Sequence, residues 1–137
     1  MLNPMNPFPE LLTYTFFMPT LFRLIVGLYF LLKGYLRLGP YKNAYQEAIS
    51  AMGFKNPKAT RIVIALIEVI GACMLILGWY TQIAVIILGL WTALLLKYKG
   101  THKQFIHGSR GQYLFLLVIL FSLLITGAGA MALDMPL

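Results

Sequence analysis

Three ionisable residues stand inside stretches that lipid would otherwise surround. Arg23 and Lys33 lie within PTLFRLIVGLYFLLKGYLRL (19–38), and Glu68 lies near the middle of a second apolar stretch, 61–79. An ion in hydrocarbon costs several kcal/mol unless it reaches water, a counter-charge or backbone carbonyls. Two meetings would relieve that cost: Arg23 with Asp134, which the C-terminal tail can bring back over the mouth of a bundle, and Glu68 with Arg23 or Lys33. Such a pair can be structural, holding two helices in register. It can also be functional, a polar pocket around Arg23, Glu68 and Asp134 where Glu68 relays protons or Arg23 anchors a ligand oxygen. Lys33 reads as a snorkelling anchor with its amine drawn toward the interface.

Helical periodicity decides which way these groups point. Arg23, Gly27, Phe30, Gly34 and Arg37 fall on one face of the first stretch, and Arg61, Ala65, Glu68, Ala72 and Leu75 fall on one face of the second. Each face carries a charge, so each must meet protein. Gly27, Gly34, Gly71, Gly78, Gly127 and Gly129 are the expected helix-packing glycines, since small residues let helices approach closely in lipid. Residues 82–97 are almost wholly apolar and read as structural, with Trp91 a packing or belt aromatic. A fourth span is expected over 112–127, opened by a Ser109–Gln112 capping box.

Two shorter elements complete the reading. Pro9 onward suggests a brief interfacial helix, and Pro19 a kink or a fresh start. Tyr41, Ala44, Tyr45, Ala48, Ile49 and Met52 share a face opposite Lys42, Asn43, Gln46, Glu47 and Ser50. That is an amphipathic helix too short to span, suited to the membrane interface or to docking a partner subunit. Asn56-Pro57 supplies an N-cap and a first-turn proline for the second span.

Composition sets the class. Hydrophobic residues make up 60 % of 137 and charged residues only 11 %, with mean hydropathy +0.80. A soluble domain carries about a quarter charged residues. The expected fold is therefore an all-α integral membrane bundle of four transmembrane helices, one domain over 1–137. No cleavable signal peptide is expected, because no basic residue precedes Arg23 and no A-x-A site stands ahead of a mature domain. The net charge of +7 suggests nucleic acid, but the cations can be placed at membrane edges, nine of them in or beside two loops: Arg37, Lys42, Lys55, Lys58 and Arg61 in 39–60 and its flanks, Lys97, Lys99, Lys103 and Arg110 in 97–111. That bias puts both loops in the cytoplasm, the N- and C-termini outside, and anionic lipid rather than nucleic acid against the loops.

Cys73, the lone cysteine, reads as a small buried apolar residue. His102 and His107 lie together in a loop without further ligands, so no metal site is expected. No haem ligand, thiol pair or nucleotide motif is present in the chain, and any electrons would come from a partner protein or a diffusible carrier.

Three motifs in order resemble the DoxX family of small four-helix membrane proteins. They are Arg23-x3-Gly27-x6-Gly34-x2-Arg37, then Glu68-x2-Gly71 with Leu77-Gly78-Trp79-Tyr80-Thr81, then Gly127-Ala128-Gly129 with Leu133-Asp134. The resemblance runs from about residue 20 to 134. Departures are arginine rather than lysine at Arg37 and Met131-Ala132 before the Leu-Asp pair. The resemblance implies a prokaryotic inner-membrane protein linked to electron transfer. It would be an accessory or small subunit of a quinone-linked membrane complex, with a quinone as the group its pocket would take. An autonomous subunit acting on a quinone or a sulfur compound, and a purely structural assembly protein, are the alternatives.

Overall fold

The computed structural model describes residue 14, residues 17–101 and residues 109–127. The expected N-terminal interfacial helix, both histidines, Gly129 and Asp134 lie outside the described residues. Five α-helices follow in order: α1 (Phe17–Leu38), α2 (Lys42–Ala51), α3 (Pro57–Leu77), α4 (Thr81–Thr101) and α5 (Arg110–Thr126). Three have the length and apolarity to cross a membrane: Phe17–Leu38, Pro57–Leu77 and Thr81–Tyr98. Helix α5 is apolar and 17 residues long, about 26 Å at ~1.5 Å per residue.

Local sequence explains the ends. Pro19 falls in the first turn of α1 and opens the helix rather than kinking it, because its missing N–H has no intrahelical acceptor there. Pro57 does the same for α3; Asn56 occupies the cap position without a side-chain cap bond, and its carbonyl accepts from Thr60 Oγ1 at 3.0 Å. Helix α3 ends in a Schellman turn. Gly78, at φ 68°, donates to the Leu75 carbonyl at 3.2 Å and Trp79 to that of Met74 at 3.0 Å. The Ser109–Gln112 capping box forms with both its bonds, at 3.2 and 2.9 Å.

The four long helices close into a ring, α1 on α3, α3 on α4, α4 on α5 and α5 back on α1, with the α1–α3 interface the most extensive. Helix α2 packs across α3 and, more lightly, α1. The distribution of side chains is the reverse of a water-soluble protein's. Large apolar residues point outward around the ring, among them Leu28 and Leu32 on α1, Ile70 on α3, Leu90 on α4 and Phe115 and Phe121 on α5. Arg23, Arg37, Arg61, Glu68, Thr20, Thr81 and Thr92 point inward and are buried. An exposed apolar belt of that extent has no place in water. Both predicted charged faces, 23-27-30-34-37 and 61-65-68-72-75, are buried in full. Cys73 departs from expectation: it sits on the exposed outer side of α3, because the inner positions of that turn belong to Gly71, Ala72 and Leu75.

Gly27 and Gly34 set the α1–α3 distance. A Cβ on Gly34 would lie 2.5 Å from Val69 Cγ2 and 3.2 Å from the Ala65 carbonyl oxygen; one on Gly27 would lie 2.7 Å from Ile76 Cγ1. A Cβ on Gly71 would lie 3.0 Å from the Leu88 side chain of α4. Gly78 and Gly127 serve the helix ends instead. Gly34→Ala is therefore expected to lower stability by about 1–3 kcal/mol, as overpacking does. Gly89 has nothing within 4 Å of an added Cβ, so Gly89→Ala should raise stability by up to about 1 kcal/mol through helix propensity. Thermal melts of the two variants in detergent, moving in opposite directions, are the check.

Candidate functional site

Three of the inward charges, Arg37, Arg61 and Glu68, form a knot toward the end of the bundle that carries α2. Glu68, midway along α3, is 1 % exposed, and its Oε1 accepts two donors. One is Arg37 Nη1 from the last turn of α1, at 3.2 Å; the other is Trp91 Nε1 from α4, at 2.8 Å. One carboxylate oxygen thus ties three helices. Its companion Oε2 is buried and accepts no hydrogen bond.

Arg37 is fixed from several sides. Its guanidinium carbon stands 4.7 Å from the Tyr45 ring centroid on α2 and 5.8 Å from that of Trp91, both within cation–π range. Its backbone carbonyl accepts from Arg61 Nη1 at 2.7 Å. Arg61 therefore caps the open C-terminal end of α1, where unsatisfied carbonyls and the negative pole of the helix favour a cation. Arg37 and Arg61, expected as loop cations, are instead buried members of the interior.

Beside the knot lies a cavity of about 60 Å³. Lys33, Arg37, Glu68 and Trp91 line it, with Tyr29, Tyr45, Tyr98 and Tyr113 as aromatic walls and Phe30, Ala48, Ile49, Met52, Ile64 and Leu95 as apolar ones. Its walls come from all five helices and from Phe54 beyond α2. Lys33 is half-buried, with Nζ 5.5 Å from the Tyr29 ring centroid. It belongs to the cavity wall rather than acting only as an anchor.

The expected trio separates. Glu68 is engaged by Arg37, not Arg23. Gly27 packs at Ala72–Ile76 and Gly34 at Ala65–Val69, a register that sets Arg23 about 15 Å along the axis from Glu68 at ~1.5 Å per residue. Arg23 is 1 % exposed, has interactions of its own, and sits at the opposite end with buried Thr20 and Thr81. Asp134 is outside the described residues, so its meeting with Arg23 stays an expectation. Among the described residues no group of three potential His, Cys, Asp or Glu metal ligands forms.

Sequence reasoning missed Arg37, Tyr45 and Trp91 as one constellation. The usable signal was Trp91 itself. It stands midway along a mostly aliphatic helix, where an indole N–H needs an acceptor and Glu68 is the carboxylate at matching depth.

An outward apolar belt and an inward charged knot define a helical membrane protein. The DoxX family profile matches residues 18–96, more than half of the chain and including Arg23, Arg37, Glu68 and Trp91. The chain belongs to the DoxX family. Comparison with curated proteins finds no match, and comparison with solved structures finds none either.

Removing one partner of the buried pair leaves an uncompensated charge, a loss of about 3–5 kcal/mol. Arg37→Met and Glu68→Leu are each expected to destabilise by that order, and the double variant to recover most of the loss. A double-mutant cycle of detergent melts checks this; additive losses would show that the two side chains do not interact. Trp91→Phe should cost less, about 1.5–3 kcal/mol for one hydrogen bond to a charged group.

Proposed function

We propose that this chain is a four-span accessory subunit of a quinone-linked membrane complex, and that the cavity at the Arg37–Glu68–Trp91 knot receives the head group of the carrier. All four long helices cross the membrane in this reading, with α2 lying in the cytoplasmic interface. Lys42, Lys55, Lys58, Lys97 and Arg110 then fall on the α2 side, as the positive-inside rule requires. The cavity lies in that cytoplasmic half.

The observation that carries the reading is the composition of the cavity. Two cations, one carboxylate and an indole N–H stand among walls otherwise made of aromatic rings and alkyl groups. That is the division a small amphiphile needs, a few placed polar groups in a largely apolar hollow. Tyr29, Tyr98 and Tyr113 supply flat faces and hydroxyls, while Lys33 and the knot orient an oxygen-bearing head. A bound quinone would supply two-electron redox chemistry; the chain's residues hold it, exclude water and fix its orientation.

Size sets a condition. About 60 Å³ is less than the ~150 Å³ of an engineered cavity that admits benzene, so a ring enters only if a wall yields. Helix α2 is that wall in this reading. It is short, bears lightly on α1 and is followed by Gly53 at φ 86° with open space around it.

Trp79→Phe leaves Trp91 as the only tryptophan, set in the cavity wall. In that protein a short-chain quinone is expected to quench emission saturably, and the Arg37→Met/Glu68→Leu double variant to lose the effect while staying folded. Purification from native membranes should also retain a stoichiometric oxidoreductase partner. Non-saturating quenching together with a chain that purifies alone would leave the knot a structural tie.

A further inference from the structure

Glu68 carries the most specific unmet demand in the molecule. Its Oε1 takes both donors, while Oε2 is buried with none, in a side chain that borders the cavity. A buried carboxylate oxygen without a donor costs the full desolvation of that group. The two guanidiniums of the knot are already committed. Arg37 is held by Glu68 Oε1 and the rings of Tyr45 and Trp91, and Arg61 is turned to the Arg37 carbonyl.

We infer that the cavity selects a ligand whose head carries a hydroxyl donor, placed so that its O–H donates to Glu68 Oε2 while its ring lies among the tyrosine walls. The ligand class is an amphiphilic phenol or other planar aromatic alcohol. Among quinone-type ligands this requirement favours the reduced, dihydroxy form over the oxidised dicarbonyl, which only accepts. The inference rests on the reading of the cavity as a ligand site and adds the polarity of the contact: protein acceptor, ligand donor.

The test compares an isosteric pair, 4-octylphenol and 4-octyltoluene, in the Trp79→Phe protein. Trp91 emission reports binding, and ligand concentrations are expressed within the micellar phase so that partitioning cancels. The phenol is expected to bind more tightly by roughly tenfold or more, the scale of a hydrogen bond to a charged group. In Glu68→Gln that preference should shrink to a few-fold, because the acceptor loses its charge while the side chain keeps its shape. Equal binding of the two compounds to the Trp79→Phe protein overturns the donor requirement but keeps the cavity as a ligand site. Binding of neither overturns both readings. The comparison within one protein stands even if Glu68→Gln fails to fold.

Discussion

A single carboxylate oxygen, Glu68 Oε1, is what the bundle is assembled around. Lipid gives helices no hydrophobic reason to associate, so association must come from close packing and polar contacts. Glu68 supplies the polar part by accepting from α1 and α4 at once. The close packing makes that possible. Gly34 is one turn before Arg37 and lies against Ala65 and Val69, which flank Glu68 in sequence and on the helix. A side chain at 34 would push the helices apart at the level where guanidinium and carboxylate meet. The glycine and the ion pair are one device.

The two ends of the bundle differ in kind. At the Arg23 end the polar residues are a guanidinium and two threonines beside a tight Schellman hairpin. At the other end α1 stops, α2 lies across the gap, and Arg61 reaches over to the last carbonyls of α1. Closing a helix end with an arginine from a neighbour joins α1 and α3 a second time, a little beyond the Glu68 contact. The backbone there is held firmly, while α2 rests on it mainly through Ala48, Ile49 and the Tyr45 ring.

The faces of α1 and α3 were legible from spacing because each combined charges with small residues, and a charge well within a span points inward. The partner was harder to read. Arg37 stands at the end of an apolar run, where a cation ordinarily marks the boundary of a span, and only the antiparallel register brings it level with Glu68. Helix α4 hid its contribution differently. It is apolar on nearly every side, so periodicity gives no inner face and Trp91 looks like any belt aromatic. Cys73 was misplaced for a related reason: depth along a helix says nothing of azimuth, and the inner arc of that turn was already taken by Gly71 and Ala72. The DoxX resemblance, resting on glycines and charges, carried the family but not the pairing.

An ion pair that served only to hold helices would be most stable in a fully packed setting. Protein interiors leave few voids larger than a water, and a cavity beside a charge forfeits packing contacts on one side. Here the interior beside Glu68 is left open to about 60 Å³, and rings from four helices join Ile49, Ile64 and Leu95 in the walls of that space. Ala48, the small residue that α2 places in the wall, leaves that space unfilled. A void kept next to a half-satisfied carboxylate, under the least anchored helix of the bundle, sacrifices stability where a tie alone would have gained it. That balance favours a site built to be filled.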